Sequence, residues 1–408
     1  MGEPLVIIGK GMAATKLVEA LSARALGRYS IAVIGDEPRR AYNRVLLSSL
    51  LARDVASSDL ELKSESWWRA RGVTTLYGQA AVAVDTKSRT VTLADGLRLS
   101  WSKLVFATGS SALKLPLPGA HLEGVMAFRD FEDVDRMQAL GAAGRRVVVI
   151  GGGLLGLEAA HGLAKAGARV TIVHLMDRLM ERQLDHEAAA LLKRELESRG
   201  IEVLLEASSA AITGETHVEG LRLADGRLLA ADAVVMAVGI RANGEIARAA
   251  GISVNRGIVV DDRLACDSEG VFALGECAEH RGTVYGLVEP AYEQARVLAD
   301  NLAGGDAFYE GSQIATNLKV SGVSVFSAGD FAGSEGMQTM TLRDPAARIY
   351  KKLVIGRSGD RDVLRGCVLY GDTADGLWYF DLIRSAAPVD HFRNTLIFGR
   401  NLSLQEAA

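Results

Sequence analysis

The strongest constraint on how this 408-residue chain folds is a pattern that occurs twice. Leu5-Val6-Ile7-Ile8 leads into Gly9-Lys10-Gly11-Met12-Ala13-Ala14, and Val147-Val148-Val149-Ile150 leads into Gly151-Gly152-Gly153-Leu154-Leu155-Gly156. An unbroken apolar tetrad reads as a parallel strand buried on both faces. The first two glycines of the G-x-G-x-x-A or G-x-G-x-x-G pattern give a tight turn and let backbone approach a pyrophosphate. Ala14 or Gly156 then lets the following helix close on the strand, and the N–H groups at its start face the phosphates. A second strand follows each copy, Ile31–Gly35 and Val170–Val173. The first ends in Asp36-Glu37, at about the twenty-residue separation where a carboxylate accepts ribose hydroxyls. After the second, His174 stands where that acid belongs, with Asp177, Arg178 and Arg182 beyond. Loss of the acid removes repulsion of a 2′-phosphate and an arginine can bind one, so the choice between NADH and NADPH stays open.

Two such units imply two dinucleotides on one polypeptide, or one ancient unit duplicated. The chain is long enough for two or three domains with cores. Its formal net charge of -4 gives no general attraction to nucleic acid or to an anionic membrane. Its 44 glycines against 7 prolines suit many strand–turn–helix units. No apolar run is long enough to span a bilayer, and the N-terminal apolar run is too short for a secretory signal. The three cysteines, Cys266, Cys277 and Cys367, form no Cys-x-x-Cys pair, and the seven histidines show no metal-ligand spacing. No metal site is expected, and thiols without a disulfide pattern fit the cytoplasm.

Between the two fingerprints, Arg44 in the basic segment Pro38–Ser49 is a candidate guanidinium for a pyrophosphate, with a solvated, serine-capped loop as the other reading. Trp67 and Trp68 sit in a helical segment and suit packing. Gly72–Asp85 reads as strands around a turn, and Arg89–Leu99 as a hairpin with Asp95-Gly96 at its tip. The strand Lys103–Phe106 ends in Ala107-Thr108-Gly109, a small flexible turn that lets backbone pass close to a flat ligand. Further strands are expected at Leu221–Leu223, Ala233–Gly239, Gly257–Asp261 and Gly270–Glu276. The last ends in Gly275-Glu276, an acid placed to accept hydrogen bonds from a polyol. A helix is expected from about Glu289-Pro290 to Leu302, with proline early in it and an N-terminus able to stabilise charge on a reduced flavin. Beyond Gly304-Gly305, five short antiparallel strands (Thr316–Val320, Val323–Ala328, Met337–Leu342, Ile349–Ile355, Leu364–Tyr370) and a helix, Ala374–Ser385, make a small α+β domain with no visible catalytic constellation.

Taken together, Ala41-Tyr42-Asn43-Arg44, Gly151–Glu158, Leu179-Met180-Glu181-Arg182-Gln183-Leu184-Asp185, Met236–Arg241, Gly275-Glu276-Cys277 and Tyr370–Thr373 make the chain resemble the FAD-dependent pyridine nucleotide reductases. Those of ferredoxin and rubredoxin are relatives. The resemblance is closer to the FAD- and NAD(P)H-binding section of assimilatory nitrite reductase large subunits, and to reductase subunits of bacterial assimilatory nitrate reductases. It implies an α/β protein with two Rossmann-like domains in the glutathione reductase-like arrangement plus a C-terminal α+β domain. The expected divisions are residues 1–112 with 241–305 for FAD, 113–240 for NAD(P)H, and 306–408. FAD would be held by Gly9, Gly11, Ala14, Glu37, Arg44, Ala107, Thr108, Gly109, Gly275, Glu276 and Glu289. NADH or NADPH would lie on Gly151, Gly153, Gly156, Glu158, His174, Arg178 and Gly239. Glu158 would be near the nicotinamide. In many relatives that glutamate pairs with a lysine beside the flavin; the corresponding position here is Ser49.

The resemblance also implies hydride transfer from nicotinamide to flavin with no acid or base from the protein, and electron transfer onward to an iron–sulfur or molybdenum-containing partner. An assimilatory nitrate reductase catalytic subunit is the favoured partner. No cysteine precedes Cys266, so the thiol chemistry of the disulfide reductases is not expected. Nitrite reduction would need the cluster and sirohaem domains of the long relatives, so it is not expected of this chain alone. Two other functions share the motifs: a ferredoxin or rubredoxin reductase of another pathway, and a nucleotide-sensing flavin-binding protein with little turnover.

Overall fold

The computed structural model describes residues 2–320 and 322–406. They form two compact units. The first draws on residues up to 50, 54–113 and 239–312; the second on 51–53, 114–238 and 313 onward.

The first unit is built on a five-stranded parallel sheet in the order Val271–Ala273, Lys103–Phe106, Glu3–Ile8, Tyr29–Gly35, Thr74–Tyr77. Leu5 stands opposite both Ile31 and Lys103, so the first apolar tetrad occupies the centre. Leu5, Val6, Ile7 and Ile8 are all buried, as a strand covered on both faces requires. The helix Met12–Ala25 turns Leu17, Val18 and Leu21 inward and packs along the helix Val288–Leu302. Tyr29 closes the end of that layer by donating its phenol to the Leu302 carbonyl at 2.9 Å. The hairpin expected around Asp95-Gly96 forms as Thr90–Leu93 paired with Arg98–Ser100. Trp68 is buried in the same core.

The second unit repeats the plan. Its parallel sheet runs Glu202–Leu204, Arg169–Val173, Arg146–Ile150, Ala233–Met236, Val125–Met126, with the second apolar tetrad again central. Also in this unit is a five-stranded antiparallel sheet in the order Ala315–Val320, Val323–Gly329, Arg361–Tyr370, Ile349–Ser358, Gln338–Asp344. The helix Gly376–Ser385 covers it, burying Tyr379. The expected fold is therefore present: two Rossmann-like sheets and a C-terminal α+β part.

Two features were not anticipated. The antiparallel pair Ser110–Ala112 with Ile240–Ala242 ties distant segments of the first unit. The helix His186–Ser198 is the anchor for the C-terminal sheet. Its N-cap Asp185 accepts the Ala188 N–H at 3.0 Å and the Tyr350 hydroxyl at 2.7 Å. Arg343 grips Glu187 with two bonds of 2.6 and 2.7 Å, and Arg348 reaches Glu195 at 2.8 Å. The exposed arginine pairs are worth little each; the buried Tyr350 phenol on a carboxylate is the stronger tie.

Two candidate nucleotide-binding sites

Both glycine turns have the geometry their sequence requires. Gly9 sits at φ +111°, and a methyl there would lie 2.0 Å from the Ala107 carbonyl oxygen; Gly151 sits at φ +119°, and a methyl would lie 2.3 Å from the Ala237 oxygen. Only glycine fits such an approach. The third position differs between the copies. Ala14 is wholly buried with its methyl accommodated, whereas a methyl on Gly156 would lie 2.0 Å from the Gly151 oxygen, so the second helix rides closer to its strand.

Helix Met12–Ala25 has Gly11 as N-cap and helix Leu154–Ala166 has Gly153. Neither cap receives a side-chain hydrogen bond, and neither first turn holds an acid. A Cβ at Gly11 or Gly153 would meet nothing within 4 Å. Each helix thus begins in open space with first-turn N–H groups that no side chain caps, the arrangement a pyrophosphate fits.

In the first unit, Glu37 lies just past the Tyr29–Gly35 strand and is held in place. Tyr42 donates its hydroxyl to the Glu37 Oε2 at 2.9 Å, and Arg44 forms an ion pair with Oε1. Arg44 also stacks over the Tyr42 ring at 5.2 Å. The two residues expected at ribose and pyrophosphate are therefore partners. Lys10 lays its stem against Gly35 and donates its ammonium to the Arg39 carbonyl; burial lowers its pKa.

The Ala107-Thr108-Gly109 turn is pinned by Asn243, a residue the sequence did not single out. Thr108 donates to the Asn243 carbonyl at 2.6 Å, and the Asn243 amide returns a 2.9 Å bond to the Thr108 carbonyl. Glu276 accepts the Ser110 hydroxyl at 2.7 Å, and the Gly275 N–H is taken by buried Gln294 at 2.7 Å. Glu289 falls in the first turn of helix Val288–Leu302 but is largely exposed and reaches Arg296 at 3.3 Å. Cys277 is buried, with its thiol against the Phe106 and Leu274 carbonyls. Burial pushes the Cys277 and Cys266 thiols well up and the Cys367 thiol up to about 12, so none is a thiolate near neutrality.

In the second unit, Glu158 lies in the second turn of helix Leu154–Ala166, partly exposed. His174 is buried, with its Nδ1 accepting the Gly152 N–H at 3.0 Å and its Nε2 facing Glu181 at 3.2 Å. Arg178 is spent on its own loop, bonding Asp177 at 2.9 Å and the Leu184 and Glu181 carbonyls at 3.3 and 3.4 Å. Gly239, grouped with the nicotinamide site by sequence, falls in the first unit, where its carbonyl accepts the Leu113 N–H at 3.0 Å. Ser49 belongs to the first unit and lies in the short helix Leu47–Leu51.

Residues 3–295 match the profile of the pyridine nucleotide-disulphide oxidoreductases. The chain belongs to that family. Residues 315–387 match the C-terminal domain of rubredoxin NAD+ reductase. The chain is 45% identical over 387 residues to a nitrite reductase [NAD(P)H] of Bacillus subtilis, covering 94% of this chain and 48% of that protein. It is 40% identical over 372 residues to an assimilatory nitrate reductase electron transfer subunit of the same organism, covering 91% and 48%. The chain thus spans about half the length of these curated relatives. Among solved structures it is similar to the ferredoxin reductase for the CYP199A2 system from Rhodopseudomonas palustris, at 26% identity and a TM-score of 0.86, covering 95% and 96% of the two chains. The resemblance stated from sequence is therefore correct. By its family the chain is a pyridine nucleotide oxidoreductase. Among the described residues, no helix is long and apolar enough to cross a membrane, and no group of three or more His, Cys, Asp or Glu residues could hold a metal ion.

Proposed function

We propose that this chain is the electron-input module of an assimilatory nitrate or nitrite reductase system, working in the cytoplasm with a separate iron–sulfur or molybdenum-containing acceptor. The observation that carries this reading is the pair of uncapped helix N-termini behind glycine turns, one in each unit. The relatives' names supply the direction of electron flow.

FAD is assigned to the first unit. The start of helix Met12–Ala25 takes its pyrophosphate, Glu37 its ribose, and Glu276 with the Ala107–Gly109 turn its remaining polar groups. Arg44 holds the Glu37 carboxylate and neutralises it. The nicotinamide nucleotide is assigned to Gly151, Gly153, Gly156 and Glu158 of the second unit. The flavin, when bound, supplies the change from two-electron to one-electron transfer. This chain's residues bind and orient; none is required to move a proton. A C-terminal domain is assigned on the strength of the antiparallel sheet that the segment from Ala315 to Tyr370 forms.

The test is a survey of acceptors with the purified, FAD-loaded chain. NADH or NADPH should bleach the flavin, and a nitrate reductase catalytic subunit should reoxidise it faster than rubredoxin or a ferredoxin. Preference for rubredoxin would favour the second reading, a reductase of another pathway, which the C-terminal match supports. A protein that binds both nucleotides yet is reduced only slowly would be a sensor, and the proposal would fall.

A further inference from the structure

The end of the Arg169–Val173 strand carries no acid, yet a carboxylate from further along the chain is brought up against the histidine that stands there. After His174 the chain leaves the sheet and folds back. Met180 adopts φ +51°, and its N–H bonds the Gly152 carbonyl at 3.0 Å, tying the returning loop to the glycine turn itself. Leu179, Met180 and Leu184 are wholly buried, and the Gln183 and Leu184 N–H groups both close on the Met180 carbonyl at 2.8 Å. This clamp fixes Glu181 with a side chain 24% exposed.

His174 sets the direction of that side chain. A methyl on Gly152 would lie 2.7 Å from the His174 Cγ, so the ring lies hard against the turn. Because Nδ1 accepts the Gly152 N–H, the proton sits on Nε2 and is donated to Glu181. The imidazole thus spans the place an aspartate or glutamate would fill after the strand and passes the acceptor role to Glu181, one ring further out.

The surroundings suit the adenosine end of a nucleotide. Leu175 and Met176, next to His174, are exposed apolar side chains of the kind a purine face covers. Arg178, offered by the sequence as a 2′-phosphate ligand, has its guanidinium committed to Asp177 and two loop carbonyls. Arg182 is 86% exposed but lies 3.9 Å from the Glu181 carboxylate, which competes for its charge. A fixed carboxylate accepts the two hydroxyls of a ribose diol and repels a phosphate ester at the same position.

We propose that Glu181, oriented by His174, is the carboxylate that takes the adenosine ribose of NADH and selects it against NADPH. The proposal rests on the assignment of the nicotinamide nucleotide to the second unit and names the residue that sets its selectivity there. His174 is a positioning residue.

The test is calorimetric titration of the FAD-loaded chain with NAD+ and with NADP+, beside the rates of flavin reduction by NADH and NADPH. The parent should bind NAD+ at least tenfold more tightly than NADP+. Glu181→Gln should weaken NAD+ about tenfold to a hundredfold, as loss of a charged hydrogen-bond acceptor implies, and strengthen NADP+ by freeing Arg182. FAD content and melting temperature should not change. His174→Asn, which can still accept the Gly152 N–H but is too short to reach Glu181, should narrow the NAD+/NADP+ ratio, a readout that a purely structural role would leave alone. Unchanged NAD+ affinity and ratio in Glu181→Gln, or a parent that prefers NADP+, overturns the assignment of Glu181. A parent that binds neither nucleotide overturns the reading of the second unit itself.

Discussion

Alanine substitution at Gly9 and at Gly151 should separate the two nucleotide sites. Each added methyl meets a carbonyl oxygen, at 2.0 Å in the first unit and 2.3 Å in the second. Each residue also sits at a positive φ, +111° and +119°, that side chains rarely adopt. Strain of that kind costs about 1–3 kcal/mol. Overpacking against a backbone group that must retreat costs about another 1–3 kcal/mol. The turn that carries the phosphate-facing N–H groups absorbs the damage, so about 2–6 kcal/mol of binding is at risk, or at least about thirtyfold in affinity.

Gly9→Ala should purify with little flavin yet still bind the nicotinamide nucleotide. Gly151→Ala should purify yellow, be bleached by dithionite, and resist NADH. Gly96→Ala is the control: Gly96 has a positive φ of +89°, but its methyl would meet nothing within 4 Å, and it sits at a hairpin tip away from either turn. Flavin stoichiometry by visible absorbance and nucleotide binding by calorimetry read the outcome. Both variants losing the same ligand, or either behaving like Gly96→Ala, would refute the assignment of one nucleotide to each glycine turn.

Three further outcomes follow from the second unit. The Asp133 carboxyl is pushed up to about 6, first by burial and then by neighbouring Asp130, although it accepts the Arg129 N–H at 2.7 Å. Between about pH 4 and pH 6 the folded chain holds a proton that the unfolded chain has released, so stability falls as pH rises through that window, by about 2–3 kcal/mol. Asp133→Asn should flatten this dependence and leave the variant more stable than the parent above pH 7; urea melts across pH that run parallel for the two proteins would contradict it. Tyr350→Phe removes the 2.7 Å bond to Asp185 at a buried position and should lower stability by about 1–3 kcal/mol without altering flavin content, read by thermal melting. Asp232, held to about 2 by two guanidinium bonds and the backbone N–H of Arg146, should stay ionised to low pH; an NMR titration showing an ordinary aspartate would break that account.

What the sequence made legible was whatever depends on neighbours in the chain. Four consecutive apolar residues before a glycine turn dictate a central parallel strand wherever they occur, and Leu5–Ile8 and Val147–Ile150 both take that place. The C-terminal strands were equally readable, because alternation and turn residues are local. What escaped depends on folding back. Asn243 reaches Thr108 across 135 positions, with no motif at either end to announce it. The pairing of Arg44 with Glu37, and the Tyr42 hydroxyl beside it, likewise depend on how the Pro38–Arg44 loop folds back, which no local motif announces.

The His174 position shows the limit most clearly. A strand-end histidine in place of an acid reads as a lost carboxylate, since the rule for ribose recognition counts residues along one strand. The chain instead reverses at Met180 and returns a glutamate to that strand end, so the chemistry is supplied by a segment seven residues further on. A spacing rule measures distance along the backbone, whereas a ribose diol responds only to where the oxygens are. The missing acid and the returning one are therefore a single feature, and the histidine between them is the spacer that makes the substitution work.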